Sequence, residues 1–458
     1  MDKVFLFGIG GTGMSKLALL LKDFGYEVYG LDIEENENVK NLRKAGIRID
    51  IGEKLDCIDG AFKFIVYSSA ISEENRNFIK AKYIGVKAER RGETLARITK
   101  GFTTVVVAGS HGKTTTTSMI GHILSKDLKV NVYVGGETVE FNSFNKDAKF
   151  FVIESDESDG TFLYFNPFVL VITNIDRDHL NYYGQDFNNL KNAFLKLVEK
   201  SKYKVVSMDD ENAYSVVKSE KNNIIYYSLK NEKADMFGFN LRFLESGTKF
   251  DLRYKGNTYE NIFLPAFGEQ NVLNAMASLI ASDISGINIK EGIESISTFN
   301  LPKRRMQKKW EVNGIMLIDD HADHPTEVEA TLSALRKHFG KRRIVAVFQP
   351  HRYTRVSMLK EDIVKPFYLA DMIVLTDIFP AFEKPIEGVS GEKIYEWLRI
   401  LNPEKEIVFV KDKRKIPFYL KEKLVYGDLV VLLGPGDIWA VAEEVFEILK
   451  ESKNEEIS

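Results

Sequence analysis

Seven short runs of apolar, mostly β-branched residues constrain this chain more than any other feature. They lie at 4–7, 103–108, 150–153, 169–173, 343–348, 372–376 and 429–433. Several lack polar alternation, the pattern of a strand covered on both faces. Helical periodicity fills the intervals, for example over 15–24, 115–125, 190–200 and 327–339. Strand–helix alternation selects an α/β fold with parallel sheets. The stretch 220–262 breaks the rhythm: 224–228, 237–243 and 248–254 read as antiparallel strands, a small sheet appended to the middle of the chain. At roughly 100–200 residues per domain, 458 residues make about three domains. One boundary falls near Lys100, between a helix-like 92–99 and a fresh strand. Another falls in the Pro-containing stretch 298–303, after helices at 271–285 and 289–297. The expected domains are 1–99, 100–298 and 299–458.

Composition removes whole classes of protein. Hydrophobic residues at 44% and charged residues at 28% exclude a disordered or fibrous chain. No apolar run approaches the ~18 residues of a membrane helix, and the opening MDKVFLFGIGGTG has neither a basic leader nor a cleavage site. A soluble, cytoplasmic protein is expected. Cys57 is the single cysteine, which excludes an internal disulfide and a cysteine-rich metal site. A net charge of −3 gives no global attraction to nucleic acid or anionic lipid, so neither is an expected partner. Gln is confined to positions 185, 270, 307 and 349 while Lys and Glu abound, a bias shared by proteins from hot environments and by biased genomes.

Two glycine loops then specify ligands. Strand 4–7 runs into Gly8-Ile-Gly10-Gly11-Thr12-Gly13-Met, which opens a helix; such a turn brings a pyrophosphate close to helix N–H groups. Asp32 closes the next strand, where a carboxylate accepts from ribose hydroxyls or caps the loop. Strand 103–108 runs into Gly109-Ser110-His111-Gly112-Lys113-Thr114-Thr115 and another helix. Backbone N–H groups of such a loop wrap phosphates, the lysine neutralises the terminal ones and a threonine hydroxyl ligates Mg2+. The spacing departs from GxxxxGK(S/T), because position 107 is Val.

Acidic and basic clusters follow other strands. Glu154-Ser-Asp156-Glu157-Ser-Asp159 closes strand 150–153, where a Mg2+ ligand belongs, and Glu154 is assigned that role; the remaining acids read equally as N-caps. Asn174-Ile-Asp176-Arg177-Asp178-His179 closes strand 169–173. Five of the seven histidines (His111, His179, His321, His324, His351) sit in loops after strands, which favours a site over packing. In the last third come Arg304-Arg305, Asp319-Asp320-His321-Ala-Asp323-His324, Gln349-Pro-His351-Arg352-Tyr-Thr-Arg355 and Gly434-Pro-Gly436-Asp437. Arginines at strand ends suit carboxylate or phosphate recognition.

In order, GIGGTGM, GSHGKTTT, ESDESD, NIDRDH, GEQNVLNA, RRMQ, DDHADHPTE, FQPHRYTR and GPGD resemble the Mur ligases of peptidoglycan synthesis over nearly the whole chain, and their alanine-adding branch most. The resemblance implies a Rossmann-like domain for the UDP moiety, a central P-loop ATPase domain and a C-terminal Rossmann-like domain that closes on both. It implies an ATP- and Mg2+-dependent amide synthesis from UDP-N-acetylmuramate and L-alanine. By similarity Gly109–Thr115 hold ATP phosphates, with Lys113 on the terminal ones. Thr114 and Glu154 would ligate one Mg2+ and His179 a second, so that Lys113, Glu154 and His179 form the catalytic set. Asn271 and Asn274 would contact the adenine region, and Arg305 and Asp320 would reach phosphate and ribose. His351, Arg352 and Arg355 would bind the amino acid and sugar nucleotide. Ser68, Ser69 and Ala70 would join Gly10, Gly11, Thr12, Gly13 and Asp32 at the UDP-sugar.

Departures stand at Ser110, where Thr is commoner, at Gln270, where His is usual, and at His321 and Asp323, where Tyr and His are usual in DDYxHHPTE. Phe194 occupies the place of a carbamylated lysine of the later-acting ligases, which supports the alanine-adding branch. Rival readings are a recycling ligase that joins a murein tripeptide to the same sugar nucleotide, a nicotinamide-dependent oxidoreductase resting on the first loop alone, and a nucleotide switch without chemistry. The oligomeric state, monomer or homodimer, is left open by the sequence.

Overall fold

The computed structural model describes residues 1–458 except 53–57, 69, 70, 72, 73, 136–143, 221, 382 and 458. Cys57, Ser69 and Ala70 therefore lie outside the described residues. Among the described residues three sheets account for the strands, and the chain divides into two compact units.

The first unit comprises Met1–Asn240, Phe250–Leu264 and Leu273–Asn300. Its opening sheet is wholly parallel, in the order Arg48–Ile51, Glu27–Asp32, Lys3–Phe7, Phe62–Tyr67, Lys87–Arg90. Strand order reverses beside Lys3–Phe7, the position at which open α/β sheets bind ligands, and the first glycine loop sits at the carboxyl end of that strand. Both faces are covered, as the unalternating run requires: Val4 and Leu6 join one buried cluster, Phe5 and Phe7 another.

The second sheet has nine strands. From one edge its parallel part runs Val130–Tyr133, Phe150–Glu154, Thr103–Ala108, Val169–Ile172, Tyr203–Ser207, Ile224–Ser228. Met236–Leu244, Gly247–Tyr254 and Asn257–Leu264 continue it as successive hairpins. The sequence pattern made 224–228 antiparallel and detached these strands as a separate sheet. Instead Ile224–Ser228 lies parallel to both neighbours and the hairpins extend the main sheet. The helix Glu211–Val217 between Tyr203–Ser207 and Ile224–Ser228 is a crossover, which delivers a parallel strand. Alternation reports one-sided burial and carries no strand direction.

The second unit comprises Leu241–Lys249, Pro265–Val272 and Leu301–Ser458. Its sheet order is Gln307–Val312, Ile315–Asp320, Leu429–Leu433, Ile344–Phe348, Met372–Leu375, Glu406–Phe409, antiparallel at the first pair and parallel elsewhere. Leu429–Leu433 is inserted between Ile315–Asp320 and Ile344–Phe348. The loops after these three strands, at 321–324, 349–352 and 434–437, therefore share one edge. Among the described residues no helix is long and apolar enough to cross a membrane.

Candidate active site

In the first glycine loop the backbone is held by side chains. Gly10 N–H donates to Asp32 Oδ2 at 2.7 Å, and Ile33 N–H to Oδ1 at 2.8 Å. Asn36 and Asn38 donate to Gly10 O at 3.2 and 2.9 Å, and Gly11 N–H returns to Gly8 O. The amides of Thr12, Gly13 and Met14, in the first turn of helix Thr12–Asp23, have no acceptor within the helix. Gly13 has a steric reason: a Cβ there would meet Arg91 Nη1 at 2.4 Å, while Tyr133 Oη donates to Gly13 O at 2.7 Å. Ser68 lies behind Gly8, 3.5 Å from a Cβ placed on it. Asn36, Asn38, Arg91 and Tyr133 escaped the sequence reading. The asparagines carry a recognisable turn signal just after Asp32, whereas Tyr133 carries none.

The second glycine loop is built tightly. Gly109 has φ +135°, and a Cβ would fall 2.2 Å from Thr173 Oγ1 and 2.8 Å from Asn174 O; Gly112 has φ +80°, and a Cβ there would fall 2.8 Å from Asn274 Oδ1. Residues of the neighbouring strand's loop fasten it. Ser110 N–H donates to Asn174 O and Ser110 Oγ accepts from Asp176 N–H. His111 N–H donates to Asn174 Oδ1, and His111 Nε2 lies 3.2 Å from Asp176 Oδ2. Thr115 is buried in the helix Lys113–Ser125.

Lys113 Nζ donates to Gly109 O at 2.6 Å, Ser110 O at 3.1 Å and Glu157 Oε2 at 2.9 Å. Burial alone would lower its pKa, but Glu157 and Asp156 hold it above the ordinary lysine value. Glu157 is fully buried; burial pushes it above the usual carboxylate range even with Lys113 beside it. Burial also opposes the ionised Asp156, yet Lys113 and His179 hold it down at about 2.

The acidic loop divides its work. Glu154 Oε1 accepts from Thr114 Oγ1 at 2.8 Å and Oε2 from Gly135 N–H at 2.5 Å. His179, at φ 56°, groups instead with Asp156 and Glu157, whose ligand atoms and its own lie within 4.8 Å of one another. Glu157 Oε1 is buried without a hydrogen-bond partner among the described residues. A hydroxyl, carboxylates and one imidazole, with an unsatisfied buried oxygen among them, fit a hard divalent cation such as Mg2+. Asp156 and Glu157 had no assigned role in the sequence. The N-cap expectation does not hold: Gly160 stands at the N-cap of the short helix Thr161–Tyr164 without a side-chain cap, and the acids close local turns instead, Asp159 Oδ1 accepting from Thr161 N–H at 3.0 Å and Asp156 Oδ1 from Ser158 N–H. Phe194 is core, 5.1 Å ring to ring from Phe162.

In the second unit Arg304, at φ 59°, fixes two loops at once. Its guanidinium donates to Asp319 Oδ2 and to the carbonyls of Gly434, Pro435 and Gly436. His321 N–H donates back to Arg304 O at 2.9 Å. Arg305 stands next in the chain, beside Asp320. Burial raises Asp320 to about 6, against Thr331 Oγ1, which donates to it at 2.5 Å, and the charge of Arg305. Burial and the charges of Arg305 and Arg304 lower His321 to about 3. Gln349 ties the edge together, donating to Asp437 Oδ1 and accepting from Ile438 N–H. Arg352 has φ 64° and donates its N–H to Phe379 O; His351 stacks on the Phe379 ring at 5.7 Å. Arg355 Nη1 pairs with Asp323 Oδ2 at 2.5 Å. Asn271 donates to Phe267 O and clusters with this unit, while Asn274 belongs to the first.

Family models match three consecutive segments: Mur ligase family, catalytic domain, over residues 4–103; Mur ligase middle domain over 107–282; and Mur ligase, glutamate ligase domain, over 304–436. A UDP-N-acetylmuramate–L-alanine ligase of Dictyoglomus turgidum is 36% identical over 463 residues, covering 100% of this chain and 99% of the relative. The solved UDP-N-acetylmuramate–alanine ligase of Thermotoga maritima superposes with a TM-score of 0.81 at 27% identity, covering 99% of this chain and 100% of that one. A murein peptide ligase of Psychrobacter arcticus shares the fold, with a TM-score of 0.70 at 22% identity over 98% and 99% of the chains. From end to end, this chain belongs to the Mur ligase family.

Proposed function

We propose that the chain joins L-alanine to UDP-N-acetylmuramate with hydrolysis of ATP to ADP and phosphate, in the cytoplasmic supply of peptidoglycan precursors. The observation that carries this reading is the match, over essentially the full length of both chains, to a relative bearing that activity's name. The domains implied are 1–99 for the UDP-sugar, 100–298 for ATP and 299–458 for closure over both.

A carboxylate is a poor acyl donor. An oxygen of the lactyl carboxylate attacks the γ-phosphorus of ATP, the bond to the β-bridging oxygen breaks, and ADP leaves. The alanine nitrogen then bonds to the carbonyl carbon of the acyl phosphate. The carbon–oxygen bond to phosphate breaks, phosphate leaves and the surplus protons pass to water. Negative charge builds at phosphate in both steps, so opposing charge fixed beforehand lowers both barriers. Lys113 and the loop amides of 109–115 supply it, with Arg305 on the phosphates, Asp320 at the ribose and Asn271 and Asn274 at the adenine. Thr114, Glu154 and His179, with Asp156 and Glu157 beside the histidine, are the residues that would hold Mg2+; once bound, its charge offsets that of the phosphates. The amides of Thr12, Gly13 and Met14 take the diphosphate, with Asp32 and Ser68 bordering it, and His351, Arg352 and Arg355 take the carboxylates.

The test is phosphate release from Mg-ATP with UDP-N-acetylmuramate, with and without L-alanine, with products weighed by mass spectrometry. Alanine-dependent release and a product heavier by one alanyl unit are expected. Release with a murein tripeptide alone would transfer the chain to the recycling activity, and reduction of a nicotinamide cofactor to an oxidoreductase.

A further inference from the structure

The edge formed by the loops at 321–324 and 349–352 is cationic, yet it holds one deeply buried carboxylate that the reaction has not used. Asp323 is 3% exposed. It stands where the resembling family has histidine. Its Oδ2 lies 2.5 Å from Arg355 Nη1 and 3.7 Å from His351 Nδ1. The other carboxylates closing strand Ile315–Asp320 are engaged: Asp319 by Arg304, Asp320 by Thr331. His351 stays neutral, lowered to about 3 by burial and by Arg352 and Arg355, so it offers no charge of its own.

An α-amino acid reaches this edge as a zwitterion, with ammonium and carboxylate on one carbon. A site that reads both groups needs one anion and one cation side by side, and without ligand those two satisfy each other. Asp323 and Arg355 have that arrangement. Arg355 alone would read only a carboxylate, and every 2-hydroxy acid carries one.

We propose that Asp323 receives the ammonium group of the incoming amino acid while Arg355 receives its carboxylate, so that their ion pair is the resting form of a zwitterion site. This rests on the alanine-adding reading. Asp323 is thereby a specificity-determining residue, setting the amine apart from its hydroxyl analogue.

The test uses the full chain with saturating Mg-ATP and UDP-N-acetylmuramate. In the wild type, L-lactate should compete with L-alanine poorly, with an inhibition constant about a hundredfold above the KM for alanine, because a hydroxyl leaves Asp323 without a charged partner. Asp323→Asn keeps the shape and loses the charge. Its KM for alanine should rise about tenfold or more, those for ATP and the sugar nucleotide should hold within twofold, and the gap between lactate and alanine should narrow. Asp323→Glu should restore part of the discrimination. A merely structural Asp323 would shift all three KM values together and leave the lactate ratio alone. The proposal is overturned by lactate binding as well as alanine in the wild type, which needs no variant, or by an unchanged KM for alanine in a folded Asp323→Asn. If the wild type makes no alanyl product, the alanine-adding reading falls instead.

Discussion

Replacing Lys113 with methionine keeps the length of the side chain and removes one charge from a buried pair. Glu157, fully buried, then faces a thioether in place of an ammonium 2.9 Å away. A carboxylate so placed takes up a proton rather than remain charged, which bounds the cost. Holding it neutral at pH 7 costs at most 2.5 pH units above the ordinary 4.5, or about 3.4 kcal/mol. The sign follows from linkage: the folded value is raised, so stability is full below the unfolded value and lost as pH rises through the folded one. In the wild type Lys113 favours the ionised form, so the gap between wild type and Lys113→Met should widen with pH, by up to about 1.4 kcal/mol per unit from pH 7 to 9. Asp156 is held at about 2 by Lys113 and His179 against burial, and burial keeps the Tyr183 hydroxyl protonated across this window. Urea unfolding of wild type, Lys113→Met, Glu157→Gln and the double variant between pH 6 and 9 measures this. The double variant should show no widening, and phosphate release should fall about a thousandfold with Lys113→Met. A gap flat with pH, or one that persists with Gln at 157, refutes the reasoning.

Gly109→Ala should weaken ATP binding at least about tenfold by calorimetric titration, because its Cβ meets the carbonyl of Asn174 at 2.8 Å and φ +135° is costly for any L side chain. Gly13→Ala should raise the KM for the sugar nucleotide and spare that for ATP, since the clash is with Arg91; adding Arg91→Ala should relieve the clash and recover thermal stability. Asp320, raised to about 6 from 3.8, loses stability as pH climbs from 4 through 6. Asp320→Asn should therefore unfold about 2–3 kcal/mol later than wild type at pH 8 while its KM for ATP rises. An unchanged unfolding midpoint would mean that the Asp320 carboxyl is not raised above its ordinary value in the folded protein.

Much of this architecture was legible because parallel sheets announce themselves. Strands such as Val169–Ile172 and Leu429–Leu433 are buried on both faces and contain nothing polar. Each glycine loop directly follows a strand with a buried apolar run, Val4–Phe7 or Val105–Ala108, so its place at the carboxyl edge came with the strand. Less legible was how functional groups pair. Glu154 reads as the metal-facing carboxylate of its loop, yet His179, at a left-handed backbone position, groups with Asp156 and Glu157. A φ of 56° leaves no trace in residue type. Arg304 and Arg305 look equivalent in the sequence, but one is consumed by backbone carbonyls and Asp319 while the other stands beside Asp320. The direction of Ile224–Ser228 was misread for a similar reason: it is set by the crossover helix before it, not by the strand's own composition.

The resting position of Lys113 bears on which anions the nucleotide loop admits. A bare ammonium there would act as an ion exchanger, holding any phosphate or sulfate in solution and leaving ATP to compete with all of them. Instead the ammonium is already matched by two carbonyls and Glu157. A small anion offers too few contacts to compensate for breaking that arrangement. On the proposed reading a triphosphate, also grasped by the loop amides and at its adenine, offers enough. The loop thus screens its ligands by how much of the nucleotide arrives at once.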